Sequence, residues 1–294
     1  MDSKNIPCYN QLCRQFVFRH AIAARKEELK IDEMRKDSRQ KESGLYQISD
    51  LMKYQEEEVM DIKAVLFDLD GTLLPMDQDA FTKGYFKELA GVLSPLGIEP
   101  EALISAVWAG TKAMVKNDGA VSNKEVFWKE FEKLTGQKPE RFCEVSDQFY
   151  SNEFNRAQRY TGENPLAKEA VRLAGLNGRK VVLATNPLFP YVGQATRLGW
   201  IGLKPEDFCL VTSYESDSYC KPNPRYYESI CERIGVKPES CLMIGNDERE
   251  DMHAAGSIGM NCILAADCMI PCAEQPWNGE KLTFAELVKK LGTI

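Results

Sequence analysis

The stretch Ile62-Lys63-Ala64-Val65-Leu66-Phe67-Asp68-Leu69-Asp70-Gly71-Thr72-Leu73 restricts the fold more than any other part of the chain. Val65, Leu66 and Phe67 are apolar without a polar alternate face, the pattern of a parallel strand buried on both sides. Asp68 then falls at the carboxyl end of that strand, where open α/β sheets place their ligands. Gly71 allows a sharp turn without a side-chain penalty. Two carboxylates one residue apart repel each other, so a divalent cation is their natural partner. An Asp-Gly turn closing a strand is common on its own. Two aspartates flanking one apolar residue, ahead of Gly-Thr, form a much narrower pattern, and its chemistry requires partners further along.

Strands and helices alternate from Lys180 onward. Residues 181–184 read as a strand followed by Thr185-Asn186-Pro187, and a helix runs to Leu198 with Gly199 as its cap. Residues 208–211 form a short strand, and a loop leads to Cys220-Lys221-Pro222. A helix over 224–234 ends at Gly235. Residues 241–245 are a strand leading into Asn246-Asp247-Glu248-Arg249-Glu250-Asp251, with a helix to Ile258. A fifth strand covers 262–264, and 284–291 is a final helix. This alternation implies right-handed crossovers and a Rossmann-like parallel sheet with helices on both faces.

Between Met76 and Pro165 the pattern is helical throughout. Phe81, Tyr85, Leu89 and Leu93 share a face over 80–93, and Leu103, Val107 and Met114 share one over 100–116. Gly110 falls on the second face and is expected to weaken that helix. Further helices cover 126–134 and 142–154. Residues 76–165 thus form a helical bundle inserted after the first strand, and 60–75 with 166–294 form the α/β core. Residues 1–59 carry eleven Lys or Arg against eleven Asp or Glu and no strand pattern. They read as an N-terminal extension, partly helical (over 11–36) or disordered, with a polar, mobile stretch at 36–43, or as an upstream over-read of the coding frame.

The net charge of −7 argues against a nucleic-acid partner bound through phosphate neutralisation. No apolar run reaches the roughly 20 residues of a membrane span. Ten scattered cysteines and two histidines make poor zinc-binding material; free thiols in a reducing cytoplasm fit better.

Four strand ends supply, in order, an acid pair (Asp68, Asp70), a hydroxyl (Thr185, beside Asn186), a lysine (Lys221) and a second acid pair (Asp247, Asp251). Phosphoryl transfer needs a nucleophile, a proton donor for the leaving group, and positive charge on the transferring oxygens. Asp68 can be the nucleophile and Asp70 the acid and base. Lys221 suits a phosphoryl group, and the second acid pair can complete an oxygen cage for Mg²⁺. Taken singly, each has a plainer reading. Thr185 could cap the next helix, Lys221 could lie on the surface, and Asp247 and Asp251 could be acids of a helix's first turn.

The four signatures in this order resemble the haloacid dehalogenase (HAD) superfamily over residues 62–264. The resemblance implies a phosphatase acting through an aspartyl-phosphate, with Asp68 as nucleophile and Asp70 as acid/base. It implies that Thr185 and Lys221 hold the phosphoryl group, with Asn186 beside them. Mg²⁺ would be bound by Asp68, the main-chain carbonyl of Asp70, and Asp247; Asp251 would orient the site or add a ligand. The helical insertion is similar to the all-helical cap of one large subgroup. Asn246 departs from the pattern by separating Gly245 from Asp247, as does Pro75 near the cap hinge. A small phosphorylated metabolite is the implied substrate. Phe81, Tyr85, Lys112 and Lys116 are the cap residues expected at the cleft. Trp108, Trp128, Trp200 and Trp277 are expected in core or interface, and His20 and His253 as ordinary helix residues. A phosphomutase of the β-phosphoglucomutase kind and a silent regulatory member of the fold are the alternatives.

Overall fold

The computed structural model describes residues 61–294. The helix expected over 11–36 lies outside them. Strand β1 (Ala64–Phe67) is buried along its whole length. Its side chains divide between two apolar layers: Val65 and Phe67 join one, Ala64 and Leu66 the other. A strand sends alternate residues to opposite faces, so covering both faces demands the unbroken apolar run.

β1 pairs in parallel with β2 (Lys180–Leu183) on one side and β4 (Cys241–Gly245) on the other. With β3 (Leu210–Val211), β5 (Asn261–Ala265) and β6 (Lys281–Leu282) they form a six-stranded parallel sheet in the order β3-β2-β1-β4-β5-β6. Chain progression reverses direction at β1, so the crevice outside its carboxyl end is a topological switch point. Phe67 stands opposite both Leu183 and Ile244. The loops after these three strands therefore start from one line.

Between β1 and β2 lie α1 (Gln78–Leu93), α2 (Pro100–Val115), α3 (Asn123–Thr135) and α4 (Pro139–Ser151). A 3₁₀ segment (Glu153–Tyr160) and α5 (Ala167–Ala174) follow. The Asp77 carboxylate caps α1 by accepting from the Ala80 N–H at 2.9 Å, and Ser122 with Glu125 forms a capping box on α3. Phe81, Tyr85, Leu89 and Leu93 are buried on one face of α1 and belong to the same apolar layer as Val65 and Phe67. The helices are thus continuous in packing with one face of the sheet.

After β2 comes α6 (Tyr191–Trp200), after β3 α7 (Pro224–Ile234). After β4 come a π-helical stretch (Glu248–His253), α8 (Ala254–Gly256) and, past β6, α9 (Phe284–Leu291).

Several local expectations are corrected. The sheet has a sixth strand, because Lys281-Leu282 pairs with Leu264 and Ala265 in a ladder too short to leave a periodic signal. Helix α6 continues through Gly199, and β3 keeps only two of four expected residues. The helix after β4 opens as a π turn, with Asp247 capping it. Gly110 does not interrupt α2. A Cβ there would stand 2.6 Å from the Phe127 ring, so the glycine serves close packing of α2 against α3.

Candidate active site

Asp68 is buried at the carboxyl end of β1. Its Oδ1 accepts from Lys221 Nζ at 2.8 Å and its Oδ2 from Thr72 Oγ1 at 3.2 Å. The turn that returns Thr72 to Asp68 needs Gly71, which has φ +89°. A Cβ on Gly71 would also meet the Asn246 side chain at 2.2 Å. Asn246, the residue that breaks the expected Gly-Asp pair, accepts from Thr72 and donates to the Cys268 carbonyl at 2.7 Å. It supports this turn from below.

Lys221 is 1% exposed, which excludes the surface-lysine reading. Its Nζ bridges Asp68 and Asp251, the latter at 2.6 Å. Burial opposes its charge, but Asp251 and Asp68 outweigh that and hold its pKa well above the lysine value. Burial pushes Asp68 up to about 7 despite Lys221, with Asp251 and Asp70 adding to the rise. Asp251 Oδ2 accepts from the Asp247 N–H at 3.0 Å, so this carboxylate positions both Lys221 and the loop after β4.

Asp247 has a structural and a cavity-facing role at once. Its Oδ1 accepts from the Arg249 and Glu250 N–H groups at 2.8 and 2.7 Å, and the residue also lines the cavity. Burial raises its pKa. Thr185 is buried and lines the cavity, while its carbonyl accepts from Thr212 and Tyr226 hydroxyls at 2.7 and 2.8 Å. It caps no helix, since α6 begins only at Tyr191. Asn186 donates to Glu250 Oε2 at 3.0 Å, and its own Oδ1 is buried without a partner among the described residues.

Asp70 forms an ion pair with Arg197, a fully buried side chain of α6. Arg197 also donates to Gln194 and lies 4.2 Å from the Phe189 ring centroid. The Asp70 carbonyl accepts from Gln78 Nε2 at 3.3 Å. Sequence reasoning missed Arg197; the available signal was a Gln-Arg pair at i, i+3 on a face otherwise bearing Gly193 and Leu198. It also missed Glu250, which burial pushes up to about 7 although Lys221 opposes the rise.

Asp68, Asp70, Thr185, Asn186, Lys221 and Asp247 all line one cavity of about 340 Å³. Phe81 and Tyr85 line it as expected, whereas Lys112 and Lys116 are exposed and do not. Trp128 is buried in the core as expected and also lines the cavity; Trp108, half exposed, lines it too. His253 sits in the π turn with its Nε2 against the Gln275 carbonyl.

Among the described residues no three His, Cys, Asp or Glu side chains form a ready metal cluster. The donor chemistry nonetheless suits a hard cation: two carboxylates and the Asp70 carbonyl, all oxygen. Asp68, Asp70, Asp247, Glu250 and Asp251 line the cavity; Lys221 faces Asp68 and Asp251 and Arg197 faces Asp70, and a divalent ion would offset the negative charge that remains.

Among known proteins, the phosphoglycolate phosphatase of Photorhabdus laumondii is 28% identical over 212 residues, 69% of this chain and 79% of that protein. The glyceraldehyde 3-phosphate phosphatase of Methanothermobacter thermautotrophicus is 44% identical over 55 residues, 19% of this chain and 24% of that protein. The crystal structure of a HAD phosphatase from Thermococcus onnurineus shares the fold, with a TM-score of 0.51 at 23% identity over 79% of this chain and 98% of that one. A family model for haloacid dehalogenase-like hydrolases matches residues 62–259, the span that carries the acid pairs, Thr185 and Lys221. The chain therefore belongs to the haloacid dehalogenase-like hydrolases, as a phosphatase-like enzyme.

Proposed function

We propose that the protein is a Mg²⁺-dependent phosphatase that hydrolyses a small phosphorylated metabolite through an aspartyl-phosphate on Asp68. The observation that carries this reading is the placement of the Asp68 carboxylate. It is held by Lys221 and Thr72 in the cavity that also receives Thr185, Asn186 and Asp247.

In this scheme an Asp68 carboxylate oxygen attacks phosphorus, the ester P–O bond breaks, and Asp70 gives its proton to the leaving oxygen. Water then attacks the phosphorus, Asp70 takes the water's proton, and inorganic phosphate departs with Asp68 restored. Lys221, Thr185 and Asn186 hold the phosphoryl oxygens, Lys221 as a point charge. Asp68, Asp247 and the Asp70 carbonyl would hold Mg²⁺, which when bound offsets charge on the phosphoryl oxygens and the nucleophile. Residues 76–165 act as a cap over a core of 60–75 and 166–294, shielding the cavity from bulk water. Residues 1–59 are an extension outside both.

Phosphate release from a panel of monoesters, with Mg²⁺ and with excess EDTA, tests the reading. Turnover should require the metal, and an acid-quenched reaction should leave phosphate on Asp68 that hydroxylamine removes. Asp68→Asn should lose at least about 10³-fold in kcat while keeping the fold. Substantial turnover by that variant would remove Asp68 from the role.

A further inference from the structure

We infer that the alcohol released at this site is apolar, preferably aromatic, and carries no second anionic group; this rests on the phosphatase reading above. The cavity lining has two chemically distinct parts. One is the cluster of polar side chains at the strand ends. The other is walled by Phe86, Trp108, Phe127, Trp128, Phe189 and Tyr214. Its volume of about 340 Å³ lies at the small end of the range for small-molecule sites, room for a phosphoryl group and a compact apolar body.

Several polar tips of the lining are already engaged within the protein. Tyr85 and Tyr150 share a hydroxyl–hydroxyl bond of 2.6 Å, and Trp128 Nε1 donates to the Tyr214 hydroxyl at 3.4 Å. Thr111 Oγ1 donates to the Val107 carbonyl of its own helix at 2.9 Å. A polyhydroxylated body would lose water here and gain few partners, a penalty charged for each unpaired hydroxyl.

Charge selects in the same direction. Among the described residues, Lys221 is the only lysine or arginine lining the cavity, and it already bridges Asp68 and Asp251. Arg197 is fully buried and engaged by Asp70 and Gln194. Apart from the proposed Mg²⁺ position at the strand ends, a carboxylate on the leaving alcohol would find no uncommitted lysine or arginine among the described lining residues. This argues against the glycolate ester for which several relatives are named.

Trp108 adds an independent sign. It is 52% exposed yet lines the cavity, its ring 5.0 Å from that of Phe86. A tryptophan half in water beside the buried Phe86 ring is not required by core packing, and it offers an aromatic surface to an incoming ring.

The test compares kcat/KM of the full chain with Mg²⁺ for 2-phenylethyl phosphate, methyl phosphate, glycerol phosphate and phosphoglycolate. All release alkyl alcohols, so differences report on binding of the body more than on leaving-group chemistry. The phenylethyl ester should exceed phosphoglycolate by about 100-fold or more. Trp108→Ala, at a half-exposed position, should lower the phenylethyl-to-methyl ratio about tenfold. Circular dichroism of the variant establishes that it is folded. Equal or better turnover of phosphoglycolate or glycerol phosphate, or an unchanged ratio in folded Trp108→Ala, overturns the inference while leaving the phosphatase reading intact. Absence of phosphate release from every ester by folded protein overturns the phosphatase reading, and this inference with it.

Discussion

At the scale of single residues, the two aspartates of the first strand end have different partners. Asp68 is held by Lys221, which sequence order already supplied as a partner; Asp70 is held by Arg197, which it did not. Arg197 is 127 residues further on and reaches Asp70 from α6, a helix whose buried face also carries Gly193, Gln194 and Leu198. A guanidinium buried this completely has to be paired, because an isolated charge away from water is costly. Removing one member of a buried pair typically costs about 3–5 kcal/mol. Arg197→Met should therefore lower unfolding stability by roughly 3 kcal/mol, read from urea titration. Folded Arg197→Met should also lose kcat more than it changes KM, because the Asp70 carboxylate loses the group that aims it. An unchanged kcat would make Arg197 purely structural.

At the scale of elements, close approach decides what periodicity leaves open. The helical pattern of α2 placed Gly110 on its apolar face and counted it as a weakness. Its actual context is the Phe127 ring on α3, near enough that a methyl group would overlap it. Gly110→Ala exchanges better helix propensity, worth up to about 1 kcal/mol, for overpacking that costs about 1–3 kcal/mol. We expect net destabilisation, measured as a lower thermal midpoint. Phe127 lines the cavity, so displacing it should also raise KM for the preferred ester. A rise in the midpoint would show that the ring moves aside without cost. Elements built on continuous burial or strong local signals were read correctly in kind. These include β1, β2, β4 and α7, which starts at Pro224 and ends before Gly235. The two-residue β6 and the π stretch after β4 were not read, because their hydrogen bonding is set by neighbours distant in sequence.

At the scale of the whole molecule, the sheet and helices α1 to α4 share one apolar layer, while a second layer covers the opposite face of the sheet. Every residue assigned to the site lies between Asp68 and Asp251, and the first strand begins at Ala64. A chain starting at Met60 should therefore fold and keep kcat/KM within about twofold of the full-length protein, since it retains every residue assigned to the site and every described strand. A large loss of activity with intact folding would assign residues 1–59 a part in the site.

The sequence alone determined the parallel α/β architecture, the order of strand ends, and the acids, hydroxyl and lysine they deliver. Those follow from local patterns: a strand buried on both faces must be continuously apolar, and its carboxyl end is where polar side chains can gather. It could not determine that Arg197 pairs with Asp70, that Trp108 and Trp128 wall the cavity while Lys112 and Lys116 do not, or that Asn246 supports the turn at Gly71. These depend on which surfaces of separate elements meet. Burial energy is non-directional, so only the packed structure decides which side chain each charge and each ring finally faces.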